Sequence, residues 1–555
     1  MLTANHLGNR QIGIRESEPP GERAGDEDPD RSSLGPGETC RGGECRSKHV
    51  PLRHPAKGDS MSAQPDQLDP SATAQLGGRA YAESQVSYRG ATYWLDRSED
   101  GVKRLVAVAD DESVFRDFVG AVEGTDGKFR LVAETSPENA LALRSALPWL
   151  TPSRFGLHTS AGFGDRLGLA TPGHVRALQA VGAAINPVFA QQSIREMGRC
   201  HRTPRNVLDD ATWGAFQAGW TKPVGGDADH LEQLEDIEDT TAAGFVFYTL
   251  DPKAEVDPEA EYADPAAIQQ KVEALEWAGL ESDLATFTKT YVGRRIDLEH
   301  EAIELDEESV VRALAKYGPS LAHAMAMYRR LTEKDIDCEV EFAVDETDYP
   351  TKPAEHIVVV SELQRLGMNF ISFAPRFVGR FEKGVEYIGD IGELQRDFEI
   401  HAAITRALGP YKLSLHSGSD KFSTYPLIAE ATKGVVHLKT AGTSWAEALR
   451  VIANNDPDLM REVLALALDS FEANRKSYHL SCDPAKIPTD PTDDEVAQLM
   501  TRVDSRQVLH VGYGAILEEF GTRMYHVWND NEEEHYRIIA DHFVKHLAPF
   551  AAYAQ

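Results

Sequence analysis

The residues best suited to chemistry are carboxylates and imidazoles gathered in short β-rich stretches. Gly226-Asp227-Ala228-Asp229-His230 sets two carboxylates beside an imidazole, just ahead of a helix-like run, Leu231-Glu232-Gln233-Leu234. The composition recurs in Glu339-Val340-Glu341-Phe342-Ala343-Val344-Asp345-Glu346, in Ser414-Leu415-His416-Ser417-Gly418-Ser419-Asp420-Lys421 and in Val436-His437-Leu438-Lys439-Thr440. Oxygen and nitrogen donors of this kind are what a divalent cation takes, and paired carboxylates are what acid–base work needs. Each stretch also has a plainer explanation. An Asp-His pair in a loop often caps a helix. Glu341, inside an apolar strand, is either functional or half of a structural ion pair, because an unpaired carboxylate there costs several kcal/mol. Glu339 shares its face and is a rival for its role. His437 reads equally as a ligand and as a satisfied core histidine. His158 suits plain hydrogen bonding, and His526, His535, His542 and His546 suit packing or solvated helix faces.

A repeated strand-end location is how a barrel collects such groups. From Phe155 onward the pattern is strand, polar loop, helix. The expected strands are Phe155–His158, Asn186–Ala190, Gly219–Lys222, Phe245–Thr249, Val340–Val344, Phe370–Phe373, Lys412–Leu415 and Val435–Leu438. Helical stretches follow at His174–Val181, Leu231–Ala243, Ala354–Leu366, Ile391–Leu408 and Trp445–Ala453, several ending at glycines suited to a C-cap. Eight such units predict an α/β fold, a (β/α)8 TIM-type barrel over 151–455. The fourth connection is too long for one crossover, so 252–337 is expected as a helical insertion that could roof the site. A small α+β domain is expected over 76–150 and a helical C-terminal segment over 456–555. Residues 1–75, rich in Gly, Pro, Ser and charge, are expected to be disordered, and Met61 is a candidate start.

Against 57 Lys and Arg stand 89 Asp and Glu, a net charge of −32 that opposes nucleic acid and anionic membranes as partners. An anionic ligand would need local cations, for which Arg376, Arg380, Lys383, Lys421 and Lys439 are candidates. Five cysteines form no disulfide framework, which favours a reducing, cytoplasmic setting. No run approaches the roughly 20 apolar residues of a membrane span, and the N-terminus carries no apolar signal core. Self-association into a homo-oligomer stays open.

Five strings, Gly162–Gly168, Gly226–His230, Val344–Asp348, Ala374–Gly384 and Leu415–Phe422, together resemble the tagaturonate epimerase family, from about Phe155 to Thr443 and on into the C-terminal segment. The resemblance implies a metal-dependent epimerase that interconverts D-tagaturonate and D-fructuronate in hexuronate breakdown, with a sugar acid as its partner. Matched motif to motif, it implies Asp229 and Glu341 as the acid–base pair and His230 and His416 as metal ligands. Glu382 is the choice for third ligand, with His437 and Asp345 as rivals. The cation would be Zn, Mn, Co or Ni. Arg376, Arg380 and Lys421 are the expected substrate-binding residues.

The two sugar acids differ at a carbon that is β to the ketone and β to the carboxylate, so enolisation cannot acidify its C–H. Transient oxidation and retro-aldol cleavage remain. No G-x-G-x-x-G lies in a βαβ unit, whereas ligand-type residues are plentiful, and the metal-assisted aldol route is favoured. Asp229 would then take the hydroxyl proton and Glu341 return one, with its pKa raised by burial. A class II aldolase or ketose isomerase acting on another sugar acid, and a non-catalytic sugar-acid binding protein, are the competing readings.

Overall fold

The computed structural model describes residues 78–125 and 127–554, so the expectations for 1–75 and for Met61 lie outside the described residues. Six short strands open the fold: β1 (Gly78–Ala80), β2 (Val86–Tyr88), β3 (Ala91–Ser98), β4 (Lys103–Ala109), β5 (Gly120–Thr125) and β6 (Lys128–Glu134). They pair antiparallel in the order β1-β3-β4-β6-β5, with β2 beside β3. The helix Pro137–Ala146, capped by the Ser136 hydroxyl, covers this sheet. Leu95, Leu105 and Leu131 pack with its Leu143 in a core continuous with that of the barrel.

The barrel follows: β7 (Ser160–Gly164), β8 (Asn186–Ser193), β9 (Gly225–Leu231) and β10 (Phe247–Leu250), then, after a hairpin of β11 (Arg295–Asp297) and β12 (Ala302–Glu304), β13 (Glu339–Ala343), β14 (Ser372–Ala374), β15 (Lys412–Leu415) and β16 (Val436–Thr440). Its eight strands are all parallel and close where β16 pairs with β7. Two strands differ from expectation. Phe155–His158 and Gly219–Lys222 are turns, and pairing starts only at Ser160 and Gly225. Both true strands are built of small and polar residues without β-branched enrichment. Space demands glycine at Gly164, where a Cβ would run into the Thr440 carbonyl oxygen and lie 2.5 Å from that of Ala441.

The fourth connection, expected as a helical insertion over 252–337, carries four α-helices and one short hairpin. Its 26-residue helix, Glu307–Thr332, packs against the helices Leu234–Ala243 and Pro353–Arg365 and so occupies the place of the fourth barrel helix. Ahead of that helix, 251–306 holds the β11–β12 hairpin, three short α-helices and two 3-10 turns. It lends Lys253, Val256 and Pro258 to one wall of a hollow beside Glu346. Beyond Asn455 the chain is helical with its own core around Leu459, Val463, Leu509 and Trp528. Helix Val503–Val511 brings Arg506, Gln507 and His510 against the barrel loops. Among the described residues no helix is long and apolar enough to cross a membrane.

Candidate active site

The Asp227–His230 motif is not a loop after a strand but part of β9 itself. Side chains alternate along a strand, so Asp227 and Asp229 share the inward face and His230 should point away. The ladder slips there: Ala228 pairs with Tyr248, but Leu231 pairs with Leu250. His230 sits at φ +54°, a left-handed conformation uncommon for a non-glycine residue. This bulge lets neighbouring Asp229 and His230 both line the barrel mouth.

At the centre stands the Lys439 ammonium on β16, 2.7 Å from Asp227 Oδ2, 2.8 Å from Asp229 Oδ1 and 2.9 Å from Glu341 Oε1. It also donates to the Thr249 hydroxyl. Gln191 donates to Asp229 Oδ2 at 2.8 Å, and Ser372 to Glu341 Oε2 at 2.5 Å. Burial opposes charge throughout, yet Lys439 and the imidazoles hold Asp229 and Glu341 well below the usual carboxylate range. Three carboxylates around one ammonium cannot all stay ionised cheaply. Burial pushes Asp227 up to about 7, against the pull of Lys439. The expected rise at Glu341 is therefore corrected: contact with Lys439 and His416 outweighs its burial.

His416 Nε2 lies 2.6 Å from Glu341 Oε1, and its Nδ1 lies 2.8 Å from Asp345 Oδ1. Despite that proximity, His416 Nδ1 and Asp345 Oδ1 are buried atoms without an aligned hydrogen bond. His230 bonds Asp251 through Nδ1 at 2.7 Å, which leaves Nε2 free to face the mouth. The two imidazole rings meet edge to face, 4.9 Å apart. Ligand atoms of His230, Asp345 and His416 lie within 4.8 Å of one another.

Of the expected site residues, the structure brings Asp229, His230, Glu341 and His416 together and does not bring Glu382 to them. The Glu382 carboxylate accepts from the Ser481 amide at 2.8 Å and from the Gln507 side chain at 3.0 Å. Its rival Asp345 stands at the imidazoles instead. The other rival, His437, lies deeper, bonded to Ser160 at 2.9 Å, and burial pushes it down to about 3, so it is a neutral core histidine. Glu339 caps the amides of Phe155 and Gly156 below the barrel. The expected substrate-binding cations lie off the mouth cavity. Lys421 is buried and spends its donors on three carbonyls, at 2.8, 2.5 and 2.8 Å. Arg376 reaches the Asp345 carbonyl at 3.4 Å, and Arg380 is half-exposed beside Glu382. A further His-rich group, Asp420, His542 and His546, is saturated: Asp420 bonds Arg506 and His542, and its amide uses the His546 Nε2 lone pair.

The tagaturonate epimerase family model matches residues 81–550 of this chain. This chain belongs to the tagaturonate epimerase family. The tagaturonate/fructuronate epimerase of Thermotoga maritima is 39% identical over 477 residues, 85% of this chain and 97% of that relative. The native and glycerol-complexed crystal structures of fructuronate-tagaturonate epimerase UxaE from Cohnella laeviribosi each align with a TM-score of 0.80 at 34% identity, covering 87% of this chain and 98% of theirs. The chain is accordingly an isomerase of the epimerase class.

The donor set fits the divalent cation looked for in this tagaturonate epimerase family member. Two imidazole nitrogens and one carboxylate converge, two of those atoms are orphaned, and Asp251 orients the His230 ring as a carboxylate behind a ligating histidine does. Lys439 was legible only as a cation candidate, although a Lys inside a buried strand announces a partner. Asp251 carried no signal, because only the barrel brings it to His230.

Proposed function

We propose that this chain interconverts D-tagaturonate and D-fructuronate by cleaving and remaking one carbon–carbon bond, with His230, His416 and Asp345 holding a divalent cation. The observation that carries the reading is the Lys439 ammonium shared by Asp229 and Glu341 beside two imidazoles at the barrel mouth. When bound, the cation would polarise the ketone and hold the neighbouring hydroxyl. Asp229, kept ionised by Lys439 and oriented by Gln191, takes the proton from the hydroxyl on the epimerising carbon, and the bond to the carbon next to the ketone breaks. The aldehyde fragment turns and the bond re-forms on its other face. Glu341, ionised at rest, takes a proton from Lys439 as the bond re-forms and hands it to the new alkoxide. Lys439 then recovers a proton from Asp229, which restores the starting state. Among the described residues Cys200, Cys338 and Cys482 are free, which supports work in a reducing cytoplasm.

The test follows one hydrogen. In bond cleavage and re-formation the C–H at the epimerising carbon never breaks, so substrate deuterated there gives product that keeps the label, and no solvent deuterium enters. Washout of the label would overturn the mechanism. Transient oxidation also retains the label, so the assay uses enzyme shown free of nicotinamide by absorbance. Chelation should abolish turnover and one added divalent cation restore it; full activity after chelation would remove the metal from the proposal.

A further inference from the structure

With Arg376, Arg380 and Lys421 off the cavity, the mouth needs another anchor for an acid. One wall of it sets Arg195 and Lys383 about the Glu346 carboxylate. Arg195 grips Glu346 with both terminal nitrogens, at 2.9 and 3.1 Å, and Lys253 contacts the same carboxylate at 2.8 Å. Lys253 is further held by Glu232 at 2.7 Å and Asp251 at 3.2 Å. Lys383 stands differently. Its ammonium donates to the Ser417 hydroxyl at 2.8 Å and reaches Glu346 only at 3.7 Å. Arg195 and Lys383 thus share one carboxylate on a wall that also includes Ser193, Glu196, Ser417 and Tyr478, with Glu196 held by the buried Arg166.

The hydrogen-bond direction matters. Because Lys383 donates to Ser417 Oγ, the Ser417 proton points elsewhere, and the ammonium keeps two N–H bonds unspent on that hydroxyl. Ser417 follows His416 and sits at φ +49°, the left-handed region, so the loop holds its hydroxyl at the rim against local strain. Lys383 and Glu382 are neighbours that part company: the carboxylate turns to Ser481 and Gln507, the ammonium to the cavity that also contains Asp229, His230 and His416.

We propose that Lys383 and Ser417, backed by Arg195, form the subsite for the carboxylate of the sugar acid and select a hexulosonate over the neutral ketohexose with a hydroxymethyl group in its place. Desolvation at a part-buried rim makes such a charged contact decisive, because a hydroxymethyl group offers the ammonium a neutral acceptor where the acid offers a carboxylate. The inference rests on the epimerase reading above and deepens it by naming what confers selectivity.

The experiment compares wild type, Lys383→Met, Lys383→Arg and Ser417→Ala as full chains, on the hexulosonate and on the matching neutral ketohexose. Lys383→Met should raise KM for the hexulosonate about 10²-fold with kcat within a few-fold, so that the ratio of kcat/KM between acid and neutral sugar collapses by a similar factor. Lys383→Arg should recover most of the ratio, and Ser417→Ala should lower it several-fold. If both sugars lose equally in Lys383→Met, the lysine only neutralises Glu346 and the proposal falls. Calorimetric binding of a non-reacting hexonate separates this from failure of the function itself. A wild type that binds hexonate but turns over no hexulosonate refutes the epimerase reading, and unchanged hexonate binding in Lys383→Met refutes the subsite.

Discussion

One ammonium governs the chemistry at the level of single side chains. Lys439 touches Asp227, Asp229 and Glu341 at once, so the titrations of the three carboxylates depend on one another. Asp229→Asn keeps the shape and the Gln191 contact but loses the acceptor of the hydroxyl proton. Its kcat should fall by about 10² or more, while metal content measured by elemental analysis stays at the wild-type level because the imidazoles are untouched. Near-normal turnover would move the base to Glu341. The carboxylates and imidazoles of this group were legible because charged residues inside apolar strands need a reason to be there. The choice between Glu382 and its rival Asp345 for the proposed third ligand was not. Glu382 is held by Ser481 and Gln507, 99 and 125 residues further along, and no local pattern announces contacts made across such separations.

Among the elements, the barrel interior departs from the layers of branched apolar residues common to the fold. Ser160, Asp227, Thr249, Glu341, Ser372, Lys412, His437 and Lys439 are all buried polar residues on its strands. That filling explains why β7 and β9 escaped a reading based on β propensity, while Lys412–Leu415, with its aliphatic alternation, was placed correctly. It also has a cost. Burial pushes the Lys412 ammonium down to about 8 from its usual 10.5. A cation with a depressed pKa destabilises the fold fully below the folded value, and the penalty shrinks as pH rises, vanishing above the unfolded one. Lys412→Met should therefore stabilise the chain below pH 8, by at most roughly 3 kcal/mol less about 1 kcal/mol for its hydrogen bond to Ser160. Denaturant melts at pH 7 and above 10.5 check this, the gain being present at the first and absent at the second. A destabilised variant at pH 7 would show that the bond to Ser160 outweighs the desolvation.

The whole molecule sets the terms on which an anion arrives. A net charge of −32 repels a hexulosonate at long range, whereas the cations proposed for its carboxylate act only at contact. The same separation of ranges explains why composition argued against nucleic acid yet was silent on the subsite: total charge is additive along the sequence, but Lys383 and Arg195 reach the same Glu346 carboxylate only when the helix Ile194–Arg199 after β8 and the loop after β14 come together at the mouth. Likewise the 252–337 segment could not be divided from sequence, because nothing local distinguishes a helix that completes the barrel wall from one that decorates it. The two electrostatic ranges make opposite demands on salt. Raising ionic strength from about 0.01 to 0.15 M shortens the Debye length from about 30 to 8 Å, which screens the distant acidic surface but hardly touches a part-buried contact under 4 Å. The kcat/KM for the hexulosonate should therefore rise, roughly two- to threefold, with kcat constant, and that for the neutral ketohexose should stay flat. Initial rates over that range settle it. A fall in kcat/KM with salt would mean that attraction at the mouth already outweighs the acidic surface at a distance, and that Lys383 and Arg195 steer the substrate as well as holding it.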